Sequence, residues 1–586
     1  MTRLLPALAI AATVLAGCAS HKAPTAPAAN AGARLTALMQ QYTHDANQYD
    51  ADIAGANNPR RGAGHLQDMS DAALAARNQH WQQLRQQIAA ISNDQLSDQQ
   101  HIDKTMLLYQ LDNRIDSYHF GQQYIPLTSE YGFWVTLANL KSELRFKDPA
   151  DYDRYLTALA DIPRYLAQQT ALMREGMQKG ITQPKAVLGL AADNIAKYIN
   201  AEQFLSPFDA LPKGDPRKVK ATVLVKKEVL PALSQFHDFM LNTYIPGART
   251  SIGMSAMPNG RAWYQNRIKH YVTLDMSPEQ IHQLGLQEMA RIHQEMDAII
   301  HDQLHFKGSL HDFMTFLRTD PQFYAKTPRQ LLMEAAYYAK RADEILPRYF
   351  GKLPRKTYGV EPVPADIAAN YTTGRYAGSA SDDQPGEYWV NTYNLKVRPL
   401  YELPALTLHE AVPGHHLQIS LTQEQTSLPP FRRNAYISAF GEGWGLYSEH
   451  LGIEAGYYRT PYERFGQLIF DAWRAARLVV DTGIHWYGWD RAKALKYMAD
   501  NTGLSLHNVQ TETDRYISWP AQALSYKIGE LTILRLRHKA EKALGKHFDI
   551  RRFHDALLAN GSIPLSTLER EMDRFIASEQ QRLSQH

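Results

Sequence analysis

The sequence contains almost no cysteine, because only one thiol, that of Cys18, occurs among its 586 residues. An intramolecular disulfide and a metal site built from several thiolates are therefore excluded. Any tight metal site in this chain has to use histidine and carboxylate ligands.

The sequence also lacks an excess of charge of one sign. Its net charge is +3 and it contains no basic run, whereas nucleic-acid binding requires a concentrated basic surface. We therefore expect no nucleic-acid partner. Hydrophobic residues make up 44% and charged residues 21% of the chain, as in ordinary soluble globular proteins. The length predicts two subdomains or one two-lobed domain.

The single cysteine follows an N-terminal segment that resembles a signal peptide. Arg3 supplies a positive charge, and the apolar stretch from Leu4 to Ala16 is too short to span a bilayer. The sequence Leu15-Ala16-Gly17-Cys18 then matches the lipobox of bacterial lipoproteins. This pattern predicts a signal peptide over 1–17 and lipidation of Cys18. The alternatives are an unmodified signal peptide or a buried structural cysteine.

A lipid at Cys18 would attach the protein to a membrane without spanning it. Residues 18–34 are rich in alanine and proline, which is typical of a flexible tether. Because Ala19 rather than aspartate follows Cys18, we expect the periplasmic face of the outer membrane in a Gram-negative cell. The predicted location is thus the cell envelope, and the sequence leaves the oligomeric state open.

The remaining chain is mainly helical in its pattern, with one exception. Ser277-Pro278-Glu279-Gln280 marks a helix start, and 153–176 and 222–243 also have helical spacing. Residues 356–397 instead combine turn residues with β-formers and predict one or two strands. We therefore expect a mainly α fold with a small β-sheet next to the active-site helix. A helical N-terminal lobe is expected over 35–355 and a catalytic lobe over 356–586.

A candidate metal motif follows this region directly, in His409-Glu410-Ala411-Val412-Pro413-Gly414-His415-His416. On a regular helix, position i+6 points to nearly the opposite side and position i+7 lies about 10 Å along the axis. Neither second histidine could then share an ion with His409. Pro413 and Gly414 predict a break in the helix that places His415 or His416 next to His409. Glu410, which lies between the ligands in sequence, is the predicted base.

A third ligand is predicted about 30 residues downstream, in Phe440-Gly441-Glu442-Gly443-Trp444-Gly445. Glu442 fits this role, because its small neighbours would let two helices approach closely, and a fourth position would remain for water. Glu449 lies two turns later on the same face. It can orient a ligand imidazole or be the ligand itself.

Four segments resemble a bacterial family known as domain of unknown function 885, over essentially the whole mature chain. They are HEAVPGHHLQ, FGEGWGLYSEH, VVDTGIHWYGWDRAKALKYM and RYISWPAQALSYKIGE, in this order. The resemblance implies a zincin-like (gluzincin-type) metallopeptidase fold with one zinc ion. It also favours His415 over His416 as the second histidine ligand.

Several other residues are candidates for substrate contacts. His485 could donate a hydrogen bond to the substrate or be a packed histidine at a helix end, and the phenol of Tyr526 could stabilise the tetrahedral oxyanion or have a core role. Arg477 and Lys527 are possible anchors for a peptide carboxylate, or else ordinary ion pairs. The strand that contains Trp389 could pair with an extended peptide, or be a simple core strand.

These residues together predict a zinc-dependent hydrolase of short peptides, of carboxypeptidase or oligopeptidase type. Glu410 would remove a proton from a water molecule that zinc activates. The alternatives are an amide or ester hydrolase that acts on a non-peptide or cell-wall substrate, and an envelope lipoprotein without catalytic activity. A substrate-binding transport protein is disfavoured, since it would consist of two α/β lobes.

Overall fold

A computed structural model describes residues 30–49, 64–129, 131–144, 146–365, 367–368, 371–379 and 383–585. Within these ranges the chain is mainly helical and contains one three-stranded sheet, which confirms the predicted fold class. The signal peptide, Cys18 and most of the predicted tether lie outside the described residues. None of the described helices is both long and apolar enough to cross a membrane.

The described residues that precede the central part of the chain form ten α-helices. The predicted helical segments at 153–176 and 222–243 fall within them, and π-turns join the last three into one nearly continuous rod. The helices are α1 Ala31–Tyr49, α2 Asp71–Ala89, α3 Asp98–Phe120, α4 Phe133–Asn139, α5 Pro149–Gln178, α6 Ala191–Lys197, α7 Ala201–Leu205, α8 Pro216–Leu224, α9 Leu230–Phe239 and α10 Ile245–Gly247.

Four helices form the central part of the chain. The start predicted at Ser277 is confirmed, because the Ser277 hydroxyl accepts from the backbone of Gln280 and the Gln280 side chain accepts from the backbone of Ser277. The helices are α11 Gly260–Val272, α12 Pro278–Ala298, α13 Leu310–Thr319 and α14 Pro328–Tyr349.

The sheet lies between α14 and the metal motif, in the region where strands are expected. Its strands are β1 Tyr358–Pro362, β2 Gly374–Ala377 and β3 Gly386–Val390, in the order β1-β3-β2. β3 pairs in parallel with β1 and antiparallel with β2. The buried Tyr388 of β3 lies with its hydroxyl 3.3 Å from that of Thr407, so the sheet is held against the following helix.

Ten α-helices complete the chain. Two of them, α18 and α22, pack directly on each other, and the longest, α19, is buried over most of its length. The helices are α15 Leu403–Glu410, α16 His415–Glu424, α17 Pro430–Arg433, α18 Ser438–Glu454, α19 Pro461–His485, α20 Arg491–Asn501, α21 Leu506–Ser518, α22 Ser525–Leu544, α23 Ile550–Leu558 and α24 Leu565–Ser584.

The buried apolar side chains form three clusters. One belongs to α4–α10 and neighbouring segments. The other two combine residues from both sides of position 355, since one joins α1–α3 to α18 and α22 and the other joins α12–α14 to α19. The core clusters thus do not follow the expected boundary at 355, and the division into two lobes stays a prediction.

Candidate metal centre

The break predicted at Pro413-Gly414 is present. α15 ends at Glu410 and α16 begins at His415. A Cβ atom on Gly414 would lie 1.9 Å from the carbonyl oxygen of His409, so only glycine fits where the chain folds back. The indole of Trp444 donates to the carbonyl of Pro413 at 2.7 Å and fixes the turn. His409 and His415 consequently lie side by side, with ring centroids 4.7 Å apart and ring planes at 87°.

Glu442 of α18 completes a cluster of three donor groups. Its Oε2 lies 3.4 Å from His409 Nε2 and 3.3 Å from His415 Nε2, and the three donor atoms are all within 4.8 Å of one another. Two ligands bound tetrahedrally to zinc at its usual bond lengths are about 3.3 Å apart. The cluster could therefore bind a zinc ion without large rearrangement.

Close helix contacts position Glu442, as its small neighbours predict. Gly443 lies against Gly529 of α22, because a Cβ on Gly443 would be 2.5 Å from the Gly529 backbone. Gly445 faces the His409 ring, and a Cβ there would lie 2.7 to 3.0 Å from three ring atoms. Side chains at either position would push α18 away from its neighbours or displace the imidazole.

Glu449 supports His409 rather than facing the cluster. Its Oε1 is 2.8 Å from His409 Nδ1 and 3.4 Å from Arg474 Nη2, and the carboxylate is fully buried. A carboxylate on Nδ1 selects the tautomer whose Nε2 lone pair is free for a metal ion. The structure thus favours the orienting role among the two alternatives for Glu449.

His416 points away from the cluster. Its Nδ1 is 3.0 Å from the hydroxyl of Tyr376 and its Nε2 is 3.0 Å from the carbonyl oxygen of Lys356. Burial lowers its pKa to about 4. Because both ring nitrogens contact protein groups, the geometry supports His415 and not His416 as the second histidine of the site.

The charges around the cluster stabilise a cation. Burial alone would lower the pKa of His409, but hydrogen bonds with Glu442 and Glu449 raise it to about 10. Burial raises the pKa of Glu442, but the hydrogen bonds with both imidazoles outweigh this effect and hold the pKa well below its usual value. The same carboxylates that favour an imidazolium would also favour a divalent ion.

Glu410 lies at the end of α15 and is fixed by the sheet. The backbone N–H of Tyr376 in β2 donates to its Oε2 at 2.7 Å. The residue is largely buried, with 8% of its surface exposed. The carboxylate is thus anchored beside the cluster, where a general base is expected.

Two tyrosines lie near the cluster, one of them not predicted. Although 47% of Tyr436 is exposed, its hydroxyl lies among protein atoms beside Glu442, and burial together with the Glu442 charge raises its pKa well above the usual value. Tyr526 lies close enough to Tyr436 to add to this shift. The guanidinium of Arg477 is stacked 4.1 Å from the Tyr526 ring centroid.

The structure does not support the predicted substrate contact of His485. Its Nδ1 accepts from the backbone N–H of Met254 at 3.1 Å, and its Nε2 donates to the carbonyl of Tyr516 at 2.9 Å. The ring is fully buried, and burial lowers its pKa to about 3. A neutral histidine with both nitrogens engaged has a structural role here.

The predicted carboxylate anchors Arg477 and Lys527 are also buried ion pairs. Arg477 binds Glu512 at 3.0 Å and is 2% exposed. Lys527 binds Asp471 and Glu530 and is 1% exposed. Neither cation reaches a surface that a peptide could contact, so their role as substrate anchors is not supported. The sequence alone does not distinguish a substrate anchor from a buried ion pair, because burial is set by the tertiary structure.

Trp389 is half-buried on β3. Because β3 is the central strand and both its edges are paired, the prediction that this strand binds an extended peptide by pairing is wrong. The indole N–H donates to Glu387 at 2.7 Å, and the ring lies 6.3 Å from that of Tyr371. Contact of its side chain with a substrate stays a prediction.

Residues 50–572 match the family described as "Bacterial protein of unknown function (DUF885)". The chain therefore belongs to this family. No functionally curated protein matches it.

Two solved structures share the fold. A protein from Colwellia psychrerythraea is 27% identical with a TM-score of 0.83, over 94% of this chain and 100% of its own. A protein from Shewanella oneidensis is 17% identical with a TM-score of 0.75, over 93% of this chain and 100% of its own. Both are described as a "putative lipoprotein", the second as one of unknown function. The fold is thus shared over nearly the whole chain.

Proposed function

We propose that this protein is a zincin-like, zinc-dependent metallopeptidase that hydrolyses short peptides. The observation that carries the proposal is the ligand geometry. His409, His415 and Glu442 converge on one point with spacings that suit tetrahedral zinc, and Glu449 orients the first imidazole. A structural site would use four protein ligands, whereas three protein ligands leave a position for a reacting molecule.

Each side chain has a chemical role in this proposal. His409, His415 and Glu442 would hold a zinc ion, which would supply a Lewis acid for the substrate carbonyl and for water. The Glu410 carboxylate accepts a proton from the water that attacks the peptide carbonyl, and then transfers it to the leaving amine. The Tyr376 N–H holds this carboxylate in place throughout.

The hydroxyl groups of Tyr436 and Tyr526 are the candidates for stabilising the oxyanion. Tyr436 is 47% exposed as a residue, and its hydroxyl lies beside Glu442. Tyr526 belongs to the start of α22 and is 8% exposed. Of the two, Tyr436 is the preferred oxyanion donor, because its hydroxyl interacts with Glu442 of the cluster.

The cell envelope is the proposed location. A lipid on Cys18 would attach the protein to the periplasmic face of the outer membrane, and the tether would let the catalytic part reach peptides in the periplasm. The N-terminal lipobox supports this location. The naming of both similar structures as lipoproteins is consistent with it.

Two variants of the purified protein test the proposal. The wild-type protein should contain one zinc ion per chain and cleave members of a short-peptide library in a chelator-sensitive reaction. Glu410→Gln should retain zinc but lose roughly 10²- to 10⁴-fold in turnover, whereas His409→Ala should lose the zinc. The matched control is Glu424→Gln, which changes an exposed glutamate of α16.

Zinc content is measured by elemental analysis and cleavage by mass spectrometry. A Glu410→Gln variant with wild-type turnover would remove this residue as the base. Absence of zinc and of any peptide cleavage would contradict the proposal as a whole. Chelator-sensitive cleavage of amides or esters without peptide cleavage would favour the non-peptide alternative.

A further inference from the structure

An exposed arginine lies beside the proposed base and has no role in the mechanism above. Arg375 belongs to β2, which is an edge strand of the sheet. Its neighbours Gly374 and Tyr376 are buried, whereas Arg375 itself is exposed. Within the described ranges it forms no ion pair with a carboxylate. Arg477 and Lys527, in contrast, each form ion pairs with buried acids.

The backbone places Arg375 next to Glu410. The following residue, Tyr376, donates its backbone N–H to the Glu410 carboxylate at 2.7 Å. Partial burial lowers the pKa of Arg375, but the hydroxyl of Tyr371 and the charge of Glu410 raise it by more. The guanidinium therefore lies within electrostatic range of the proposed base Glu410.

Aromatic side chains line the same side of the sheet. Arg375 is directly opposite Trp389 in the antiparallel pair β2-β3, so that both side chains lie on one face. The Tyr371 hydroxyl is a hydrogen-bond partner of Arg375, and its ring is 6.3 Å from that of Trp389. A cation is thus presented next to two aromatic rings.

We propose that Arg375 binds the free α-carboxylate of the substrate's C-terminal residue, while Tyr371 and Trp389 contact that residue's side chain. This inference rests on the proposed peptidase function and narrows it to a carboxypeptidase. A guanidinium suits this task, because its planar N–H groups bind a carboxylate in bidentate fashion. Because β2 lies beside Glu410, the distance between Arg375 and the scissile bond would be short, as in the removal of a C-terminal residue.

Matched peptides and variants of the full-length, zinc-loaded protein test this inference. Two peptides share one sequence and end in a free acid or in a C-terminal amide. In a third peptide the last residue is replaced by an amidated glutamate, so that its only carboxylate at that end is in the side chain. Arg375→Gln removes the charge and Arg375→Lys retains it. The control is Arg348→Gln, because Arg348 is another exposed arginine, with its guanidinium 5.9 Å from the ring centroid of Tyr349.

For the wild-type protein and the control, kcat/KM should be about 10- to 100-fold higher for the free acid than for the amide. Arg375→Gln should lose this preference, because the rate on the free acid should fall far more than the rate on the amide, and Arg375→Lys should retain part of it. Equal loss on acid and amide would overturn the inference and leave the peptidase intact. Rapid cleavage of the amidated glutamate peptide would overturn the α-carboxylate as the ligand. Failure to cleave any peptide would refute the peptidase, and this inference with it.

Discussion

Gly445→Ala is expected to damage the candidate metal site although it changes none of the candidate ligands. A Cβ atom at this position would lie 2.7 Å from Cε1 and 2.8 Å from Nε2 of His409. Carbon atoms in contact are normally about 3.5 to 4.0 Å apart, so the ring would have to withdraw by about 0.7 to 1 Å. Ligand distances at a metal site tolerate only about 0.2 Å. The displacement therefore exceeds the tolerance of the site several-fold.

The expected loss of zinc affinity can be estimated from the loss of groups that support a metal ligand. Removing such a group typically reduces metal affinity about 10- to 100-fold. We expect at least this loss of zinc affinity in Gly445→Ala. The fold should survive, since overpacking costs about 1–3 kcal/mol and alanine regains up to about 1 kcal/mol of helix propensity. Chelator competition measures the zinc affinity, and thermal unfolding measures the stability.

The matched control is Gly189→Ala. Gly189 is exposed and has no atom within 4 Å of an added Cβ. This variant should bind zinc like the wild type. If Gly445→Ala also bound zinc with wild-type affinity and remained folded, the position of His409 against α18 would be refuted, and the ligand assignment with it.

Three further predictions use paired variants or pH. His415→Ala should lose zinc, whereas His416→Ala should retain it, as elemental analysis would show; the opposite result would exchange their roles. Tyr436→Phe should reduce kcat about 10²- to 10³-fold, and Tyr526→Phe should reduce it less; equal rates for both variants and the wild type would exclude a phenol from the chemistry. His485, whose pKa is lowered to about 3, stays neutral when folded but is protonated when unfolded below pH 6.5. Stability therefore falls as the pH is lowered from 6.5 towards 3, and His485→Gln should reduce the loss between pH 7 and pH 5 by about 2 kcal/mol in urea unfolding. An unchanged pH dependence would contradict the buried neutral state.

The sequence alone was sufficient to predict the parts of the site that depend on local chemistry. Proline and glycine disfavour a continuous helix in any sequence context. A break at Pro413 and Gly414 therefore predicts that a second histidine lies next to His409. Helix periodicity likewise placed Glu442 and Glu449 on one face. The structure adds that Glu449 is the one that contacts Nδ1 of His409.

The parts that failed depend on burial and on tertiary neighbours. The sequence does not show that Arg477 and Lys527 are buried, because their partners Glu512 and Asp471 come from other helices. Tyr436 was missed because it precedes α18 in a segment without periodicity, and one tyrosine among 32 carries no signal. Arg375 was missed because strand order, which makes β2 an edge, is not encoded locally.

The contact between Gly443 and Gly529 makes the candidate metal site dependent on α22, a helix that contributes no candidate ligand. Glycine at 441, 443 and 445 weakens α18 by about 3 kcal/mol relative to alanine, so this helix relies on α22 to stay formed. The three candidate ligands are consequently expected to come together only when the C-terminal helices pack against α18. Zinc retention would thus report on the integrity of the C-terminal third of the chain, and a protein shortened before α22 should lose the ion while keeping all three of its ligands.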